Sequence, residues 1–196
     1  MRRLFLCLFL SLGLGLLNAH AQQAAGQKSD LVSGMTVRIS AFSGKPVPRF
    51  ESLKYVAVHG RTGPSLEYPI AWRYERQGLP VVVLKESRDW LMVRDPSGDE
   101  VWMHSRTLGG QPGVLIYGDA PVELRRKPKD SSRILARMEP GTIATLIGCD
   151  GEFCEIYVSH RRGWASKMSL WGAPGTQARP VDIRKPVMSA ERVVSE

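Results

Sequence analysis

The residues with the most distinctive chemistry are two cysteines, Cys149 and Cys154, which flank the tetrapeptide Asp150-Gly151-Glu152-Phe153. In an exported protein, one close cysteine pair favours a disulfide. The two cysteines face each other if all four intervening residues form the loop, whereas a two-residue turn at Asp150-Gly151 would leave them diagonal. We predict the wider loop, closed by a disulfide that stabilises the fold by about 2 kcal/mol.

Other side chains that could carry chemistry are dispersed along the chain. The histidines His59, His104 and His160 stand singly, so a zinc site at the cysteines would lack two further ligands. A Cys-x-x-Cys redox motif is absent, as are a nucleophile elbow, a glycine-rich phosphate loop and a His-Glu-x-x-His helix. His59 could serve as a base only beside a positioned acid or nucleophile. We therefore predict no catalytic residue, no metal and no cofactor.

The N-terminus has the pattern of a secretory signal peptide. Arg2 and Arg3 precede an apolar run over residues 4–17, and Ala19-His20-Ala21 follows it. A membrane anchor would need roughly 20 apolar residues, which this run does not reach. We predict cleavage after Ala21, a periplasmic or secreted mature protein, and no transmembrane segment after cleavage.

The positive charge of the chain is spread rather than concentrated. The full chain carries 27 basic and 19 acidic residues, a formal net charge of +8, and removing Arg2 and Arg3 leaves +6. Residues 125–137 are the most basic stretch, but Asp119, Glu123, Asp130 and Glu139 interrupt or flank it. A face that tracks phosphates needs a concentrated stripe, so the charge disfavours nucleic acid. An anionic wall polymer, a phospholipid or an acidic protein patch fits the electrostatics better.

A duplicated unit organises the chain. Trp102 and Trp164 are 62 residues apart, and so are Leu108 and Leu170. We predict, in order, a signal peptide, a linker, a first module, a second module and a flexible tail. Their ranges are 1–21, 22–47, 48–111, 112–172 and 173–196.

Each unit is predicted to consist of short β-strands. No segment keeps a helical apolar period for ten residues, so helix is limited to a single turn before Leu108 or Leu170. The predicted strands are 54–59, 79–85, 90–94 and 100–104 in the first module, and 121–124, 133–138, 142–148, 152–158 and 163–166 in the second. Short strands in a unit of this size describe a small β-barrel, so the fold class is all-β with two tandem barrels. A unit this small has room for few core residues, so large aromatic side chains must supply much of its buried surface. We therefore assign four aromatic residues to the core: Trp90, Trp102, Phe153 and Trp164.

The chain resembles the exported proteins of alphaproteobacteria that carry two bacterial Src homology 3 (SH3-like) domains in tandem. The resemblance rests on Arg61-Thr62-Gly63-Pro64, Tyr68-Pro69 and Gly78-Leu79-Pro80-Val81 in the first module. In the second module it rests on Gly163-Trp164 and Leu170-Trp171-Gly172. It covers residues 49–172, most of the mature chain.

The resemblance implies a binding role without catalysis, toward cell-wall peptides or protein partners. Long loops on a rigid barrel give adjustable contact surfaces. We therefore predict a cell-envelope protein that contacts peptidoglycan peptides or envelope proteins, and the predicted ligand contacts are Arg61, Tyr68, Trp72 and Tyr74. Packing of these four residues onto the barrel is the competing interpretation. A targeting or inhibitory subunit of a wall hydrolase or secretion component is the main functional alternative, and a cryptic wall hydrolase is a further one. The sequence leaves the oligomeric state open.

Overall fold

Short strands separated by tight turns account for nearly all of the regular structure. The computed structural model describes residues 36–176 and the strand Ala190–Arg192. The strands are β1 (Arg38–Ile39), β2 (Pro46–Val47), β3 (Arg49–Ser52), β4 (Val58–Arg61), β5 (Ile70–Tyr74), β6 (Pro80–Ser87), β7 (Trp90–Arg94), β8 (Glu100–His104), β9 (Gly113–Ile116), β10 (Val122–Arg125), β11 (Ile134–Met138), β12 (Ile143–Asp150), β13 (Phe153–Val158), β14 (Arg161–Ser166), β15 (Leu170–Trp171) and β16 (Ala190–Arg192). Single 3₁₀ turns at Ser105–Thr107 and Lys167–Ser169 directly precede Leu108 and Leu170, as predicted.

Apart from the separate pair β1 and β2, the strands form two antiparallel seven-stranded sheets that share one topology. Six strands of the first sheet follow the order β5-β4-β8-β7-β6-β3, and six of the second follow β11-β10-β14-β13-β12-β9. The order is identical when each strand is replaced by its counterpart in the other module. The prediction of an all-β chain with two tandem barrels is therefore confirmed, and we call the two barrels module 1 and module 2. The residues that the structure describes contain no helix with the length and apolar character needed to cross a membrane.

Several strands lie outside the predicted ones, among them β1, β2, β5 and β16. Within the predicted linker, β1 and β2 pair as a short hairpin. Within the predicted tail, β16 adds to the outer edge of β5, while the rest of 177–196 lies outside the described residues. The strand β5 lies in a stretch that was predicted to be a loop. It has only a short alternation of apolar residues, and it directly follows Pro69 and several polar residues, so the pattern of a strand is weak. The signal peptide also lies outside the described residues.

Glu86 fastens the N-terminal hairpin to module 1. Its carboxylate accepts hydrogen bonds from the hydroxyls of Ser40 at 2.5 Å and Ser43 at 2.9 Å. The Arg49 guanidinium donates to the same carboxylate at 2.6 Å. Burial favours the protonated form of Glu86, but these hydrogen bonds and the Arg49 charge outweigh it and hold the pKa of Glu86 below its ordinary value.

The core of each module consists mainly of medium-sized aliphatic side chains. In β7 and β8 the buried residues are Leu91, Val93, Val101 and Met103. Since successive side chains of a strand point to opposite faces, the residues between them lie on the outer face. The assignment of Trp90, Trp102, Phe153 and Trp164 to the core is therefore wrong: all four are half-buried and alternate with the buried positions.

The two modules are joined by an apolar junction. Trp171 is fully buried there among Val82, Leu84 and Leu115, and its ring meets Phe50 edge-on with the centroids 5.1 Å apart. Val82 and Leu84 come from module 1, and Leu115 comes from module 2. The junction thus buries side chains that neither barrel covers alone.

Backbone contacts fix the junction in place. The amide of Gly113 donates to the buried Ser52 hydroxyl at 2.7 Å, and Arg76 donates to the carbonyl of Gly141 at 2.9 Å. A Cβ atom at Gly113 would lie only 1.9 Å from the carbonyl oxygen of Gly78, so the two backbones approach as closely as glycine allows. These contacts hold the modules in one relative orientation.

Candidate functional site

A groove with a volume of about 800 Å³ lies between the two modules. That volume lies in the range of small-molecule and peptide sites. Its residues come from module 1, from the connecting segment and from module 2: Leu53, Lys54, Tyr55, Gln77, Gly78, Gly109, Gly110, Gln111, Gly113, Ile143, Ala144, Thr145, Tyr157, Val158 and Ser159. Because the junction fixes both walls, the groove is preformed.

Two tyrosines provide the aromatic surface of the groove. Tyr55 of module 1 is 49% exposed, and Tyr157 of module 2 is 45% exposed. Lys54 places its Nζ atom 5.6 Å from the centroid of the Tyr55 ring, a cation–π distance. Lys54 is the single charged residue among those that line the groove. The groove therefore combines aromatic faces and hydroxyls with one cation.

The tight turn beside Tyr157 is conformationally unusual. Ser159 and His160 both have left-handed backbones, with φ angles of 46° and 61°. Residues other than glycine adopt this region at a cost, and such positions cluster at functional sites. The turn brings the Nδ1 atom of His160 to 3.5 Å from the Tyr157 hydroxyl. Ser159 of this turn and the neighbouring Tyr157 both line the groove.

Of the predicted ligand contacts, Arg61 and Tyr68 lie at the loop between β4 and β5. The Arg61 guanidinium donates to the carbonyl oxygens of Leu66 at 3.1 Å and Tyr68 at 2.7 Å, so it fastens this loop. The Tyr68 ring packs directly against Gly63, where an added Cβ would lie 2.4 Å from it. Tyr68 nevertheless remains 45% exposed. A ligand contact at Tyr68 stays a prediction.

The other two predicted contacts lie on β5 and face inward. Trp72 is half-buried against the module 1 core, and Tyr74 is only 1% exposed. The Tyr74 hydroxyl donates to Asp95 at 2.9 Å, and the other carboxylate oxygen of Asp95 accepts from the amides of residues 97–99 and the Ser97 hydroxyl. Burial raises the pKa of Tyr74, and Asp95 raises it further; burial also raises the pKa of Asp95. A ligand contact through Tyr74 is therefore wrong, because its ring and hydroxyl are used inside the barrel.

The predicted disulfide is present. Cys149 and Cys154 are bonded and occupy directly opposite positions of β12 and β13. The loop is shorter than predicted, because Asp150 already pairs with Phe153 and only Gly151-Glu152 form the turn. The strand register, rather than a wide loop, brings the cysteines face to face.

The histidines do not form a cluster. His59 is exposed on β4, and the ring of His104 lies 5.3 Å from that of Trp90 on the outer face of module 1. Within 36–176 and 190–192, no group of three or more histidine, cysteine, aspartate or glutamate residues could hold a metal ion.

The sequence of each barrel matches a known family. The profile of the bacterial SH3 domain matches residues 54–110 and again residues 118–172, more than half of the chain. The chain belongs to the bacterial SH3 domain family. The predicted pair of bacterial SH3 domains is thus confirmed, and modules 1 and 2 are tandem bacterial SH3 domains.

This chain is similar to parts of other known proteins. The chain is 25% identical over 116 residues to a putative N-acetylmuramoyl-L-alanine amidase of Bacillus subtilis, and the match covers 54% of this chain and 22% of that protein. Two solved structures from Trichomonas vaginalis, NlpC2 and NlpC1, are 12% and 13% identical, each with a TM-score of 0.29. They cover 63% and 69% of this chain, and 47% and 50% of their own chains. This chain therefore spans about a fifth of the curated relative and about half of each solved structure.

No local sequence pattern predicts the groove between the two SH3 domains. Tyr157 stands between Ile156 and Val158, which are both buried, so strand alternation alone would have assigned its ring to the outer face. Tyr55 falls in the predicted strand 54–59, but that part of the prediction is wrong: β4 begins only at Val58 and Tyr55 lies in the irregular segment before it. The glycine-rich segment 109–113 has the sequence pattern of an ordinary turn. Only the structure shows that the backbone of Gly113 lies against that of Gly78.

Proposed function

We propose that this chain is a non-catalytic binding protein of the bacterial cell envelope, which holds peptidoglycan peptides or a segment of an envelope protein in the groove between its SH3 domains. The observation that carries the proposal is the groove itself, since both domains contribute to it and the junction holds it open. Its lining contains neither a carboxylate nor an imidazole. Those are the groups most often used as general acids and bases, so the groove is suited to binding.

The groove chemistry suits a short peptide with a free carboxylate. Lys54 supplies the one positive charge, and the Tyr55 and Tyr157 rings offer flat apolar faces with hydroxyls at their tips. Aromatic residues of this kind dominate binding energy at many interfaces. Peptidoglycan peptides are short and carry carboxylates, which matches a groove that has one cation and two exposed aromatic rings.

Location in the envelope is part of the proposal. The predicted signal peptide lies outside the described residues, so support comes from the Cys149–Cys154 disulfide. Disulfides persist in oxidising compartments such as the periplasm and are rare in the cytosol. A periplasmic or secreted protein would meet peptidoglycan directly.

A sedimentation assay with purified peptidoglycan sacculi tests the proposal. We expect wild-type protein to bind, and the double variant Tyr55→Ala/Tyr157→Ala to bind at least tenfold more weakly, since truncating a central aromatic contact costs about 1–2 kcal/mol. Met168→Ala is the matched control, because Met168 is exposed on module 2 outside the groove. Tyr68→Ala distinguishes the predicted loop contact from the groove.

Three results would contradict the groove as the wall-binding site. One is retention of wild-type protein no greater than that of an unrelated protein of equal net charge. Another is equal loss of binding in the tyrosine double variant and in Met168→Ala. The third is a loss confined to Tyr68→Ala, which would move the site to the β4–β5 loop.

A targeting or inhibitory subunit of a wall hydrolase is the second candidate. It is favoured by the similarity to a putative amidase of which this chain spans only 22%. In that case the protein co-purifies from envelope extracts in a fixed ratio with one hydrolase and shows no affinity for bare sacculi. The tyrosine double variant then disrupts that complex rather than wall binding.

A further inference from the structure

The two SH3 domains differ at one equivalent edge. In module 1 the outer edge of β5 is paired with β16, in the register Ala190 opposite Tyr74, Glu191 opposite Arg73 and Arg192 opposite Trp72. In module 2 the counterpart of β5 is β11, which is the last strand of its sheet. No strand in the described part of the chain pairs with the outer side of β11. The Leu135 carbonyl oxygen accepts from the Arg161 guanidinium at 3.4 Å, so residues 136–138 are the part of β11 that we consider for pairing with another strand.

The two edges match residue by residue. Against their inner neighbours, Tyr74, Arg73 and Trp72 occupy the positions that Met138, Arg137 and Ala136 occupy in module 2. Each of the two pairings then has a register shift at the next position. The shift lies between Gly60 and Arg61 in the β4–β5 pairing, and between Leu124 and Arg125 in the β10–β11 pairing. The part of β5 that accepts β16 thus has a counterpart in residues 136–138.

The matching positions also carry the same charge. Arg73 stands opposite an acidic residue of β16 in register, and its counterpart Arg137 has a side chain that is 67% exposed. Arg137 has one ion pair, with Glu123 at 3.7 Å, within the same sheet. A charged residue on an edge strand commonly protects it from pairing. Arg73 does not prevent pairing at β5, so Arg137 is no barrier at β11 and instead favours an acidic partner.

We propose that the outer edge of β11 binds an extended segment of a partner protein by strand addition, with an acidic residue of that segment opposite Arg137. Backbone hydrogen bonds would supply the affinity of such a contact, and the residue opposite Arg137 its selectivity. The proposal is independent of the groove, which is lined by other residues.

A second copy of this chain fits the same edge less well. Its own β16 would have to leave β5, so one strand pairing would be lost for each one gained. The intramolecular pairing also has the advantage of a tethered segment, equivalent to a millimolar local concentration. A segment from a different protein carries neither cost.

Nuclear magnetic resonance of the ¹⁵N-labelled full chain tests the proposal with a peptide of residues 186–196, Pro-Val-Met-Ser-Ala-Glu-Arg-Val-Val-Ser-Glu. At millimolar peptide we expect shifts and slowed hydrogen exchange at the amides of residues 136–138. The variant Arg137→Glu should weaken this binding about fivefold, the range of a cross-strand charge pair. Arg133→Glu, with the same charge change outside β11, should not weaken it.

Three outcomes would overturn the proposal. Chemical-shift changes confined to the amides of β5 would mean that the peptide only replaces β16 at the edge of module 1. Equal weakening by Arg137→Glu and Arg133→Glu would reduce the effect to general charge attraction. Protection of residues 136–138 that rises with protein concentration in the absence of peptide would assign the edge to a second copy.

Discussion

The close approach of Gly113 to Gly78 makes a strong prediction about the junction between the SH3 domains. Replacing Gly113 with alanine places a Cβ atom 1.9 Å from the Gly78 carbonyl oxygen, 3.0 Å from its carbonyl carbon and 3.1 Å from the Ser52 hydroxyl. Contacts under about 3.0 Å are not tolerated, and the obstacle at Gly78 is backbone that cannot rotate away. The variant Gly113→Ala must therefore move one module against the other by about 1 Å or more.

The expected loss of stability has three parts. Overpacking of this kind costs about 1–3 kcal/mol. A shift that breaks the hydrogen bond from the Gly113 amide to the buried Ser52 hydroxyl, 2.7 Å long, adds about 1–3 kcal/mol. Alanine regains about 0.4–1 kcal/mol by restricting the unfolded chain. We expect Gly113→Ala to lower the free energy of unfolding by about 3 kcal/mol and the Tm by roughly 6–12 °C.

Denaturant titration and thermal melting, each with far-ultraviolet circular dichroism, measure this effect. The matched control is Gly148→Ala, since a Cβ atom there meets nothing within 4 Å. The control should be as stable as the wild type or slightly more so. Equal stability of Gly113→Ala and Gly148→Ala would refute the close docking of the modules and, with it, the preformed groove.

Two further predictions concern buried carboxylates. Glu86→Gln removes a group whose pKa is lowered in the folded state, so the stability that Glu86 contributes is present above its ordinary pKa and is lost as the pH falls through the folded value. The gap in unfolding free energy between wild type and Glu86→Gln should thus be largest at neutral pH and narrow below about pH 4.3, as denaturant titrations over pH 2–7 would measure; a gap that does not change with pH would contradict it. Tyr74→Phe leaves one oxygen of Asp95 buried without its donor and should lower the unfolding free energy by about 2 kcal/mol, while binding to sacculi stays unchanged. Weaker sacculus binding by a folded Tyr74→Phe protein would restore Tyr74 as a ligand contact.

The sequence was sufficient for most strands of the two barrels and for the duplication, but it predicted neither β5 nor β9, nor which face of a strand points inward. In β7 the alternation of Trp90 and Met92 with Leu91 and Val93 is apolar on both faces, so the pattern predicts a strand without orienting it. Assigning the larger side chains to the core then gave the wrong face. A barrel of about 60 residues has an interior that Leu, Val and Met fill, and half-covered rings remain on its outer surface.

Features that depend on segments far apart in the sequence could not be predicted, for a different reason. The groove exists because Tyr55 and Tyr157, about a hundred residues apart, are brought to one cleft by a junction that no local pattern encodes. The Cys149–Cys154 disulfide lay within one hairpin and was predictable, although its turn is two residues shorter than expected. Local chemistry was therefore readable from the sequence, whereas the packing between domains was not.

The strand β16 changes what counts as a separate unit in this protein. It completes the sheet of module 1, yet all of module 2 lies between it and β5 in the sequence. In topology, module 2 is therefore inserted into module 1, and the two are not independent domains joined end to end. A fragment that stops at residue 111 would consequently expose β5 and would be prone to pair with other molecules. Dissecting the two domains calls for a version of module 1 in which residues 190–192 are rejoined to it by a short linker.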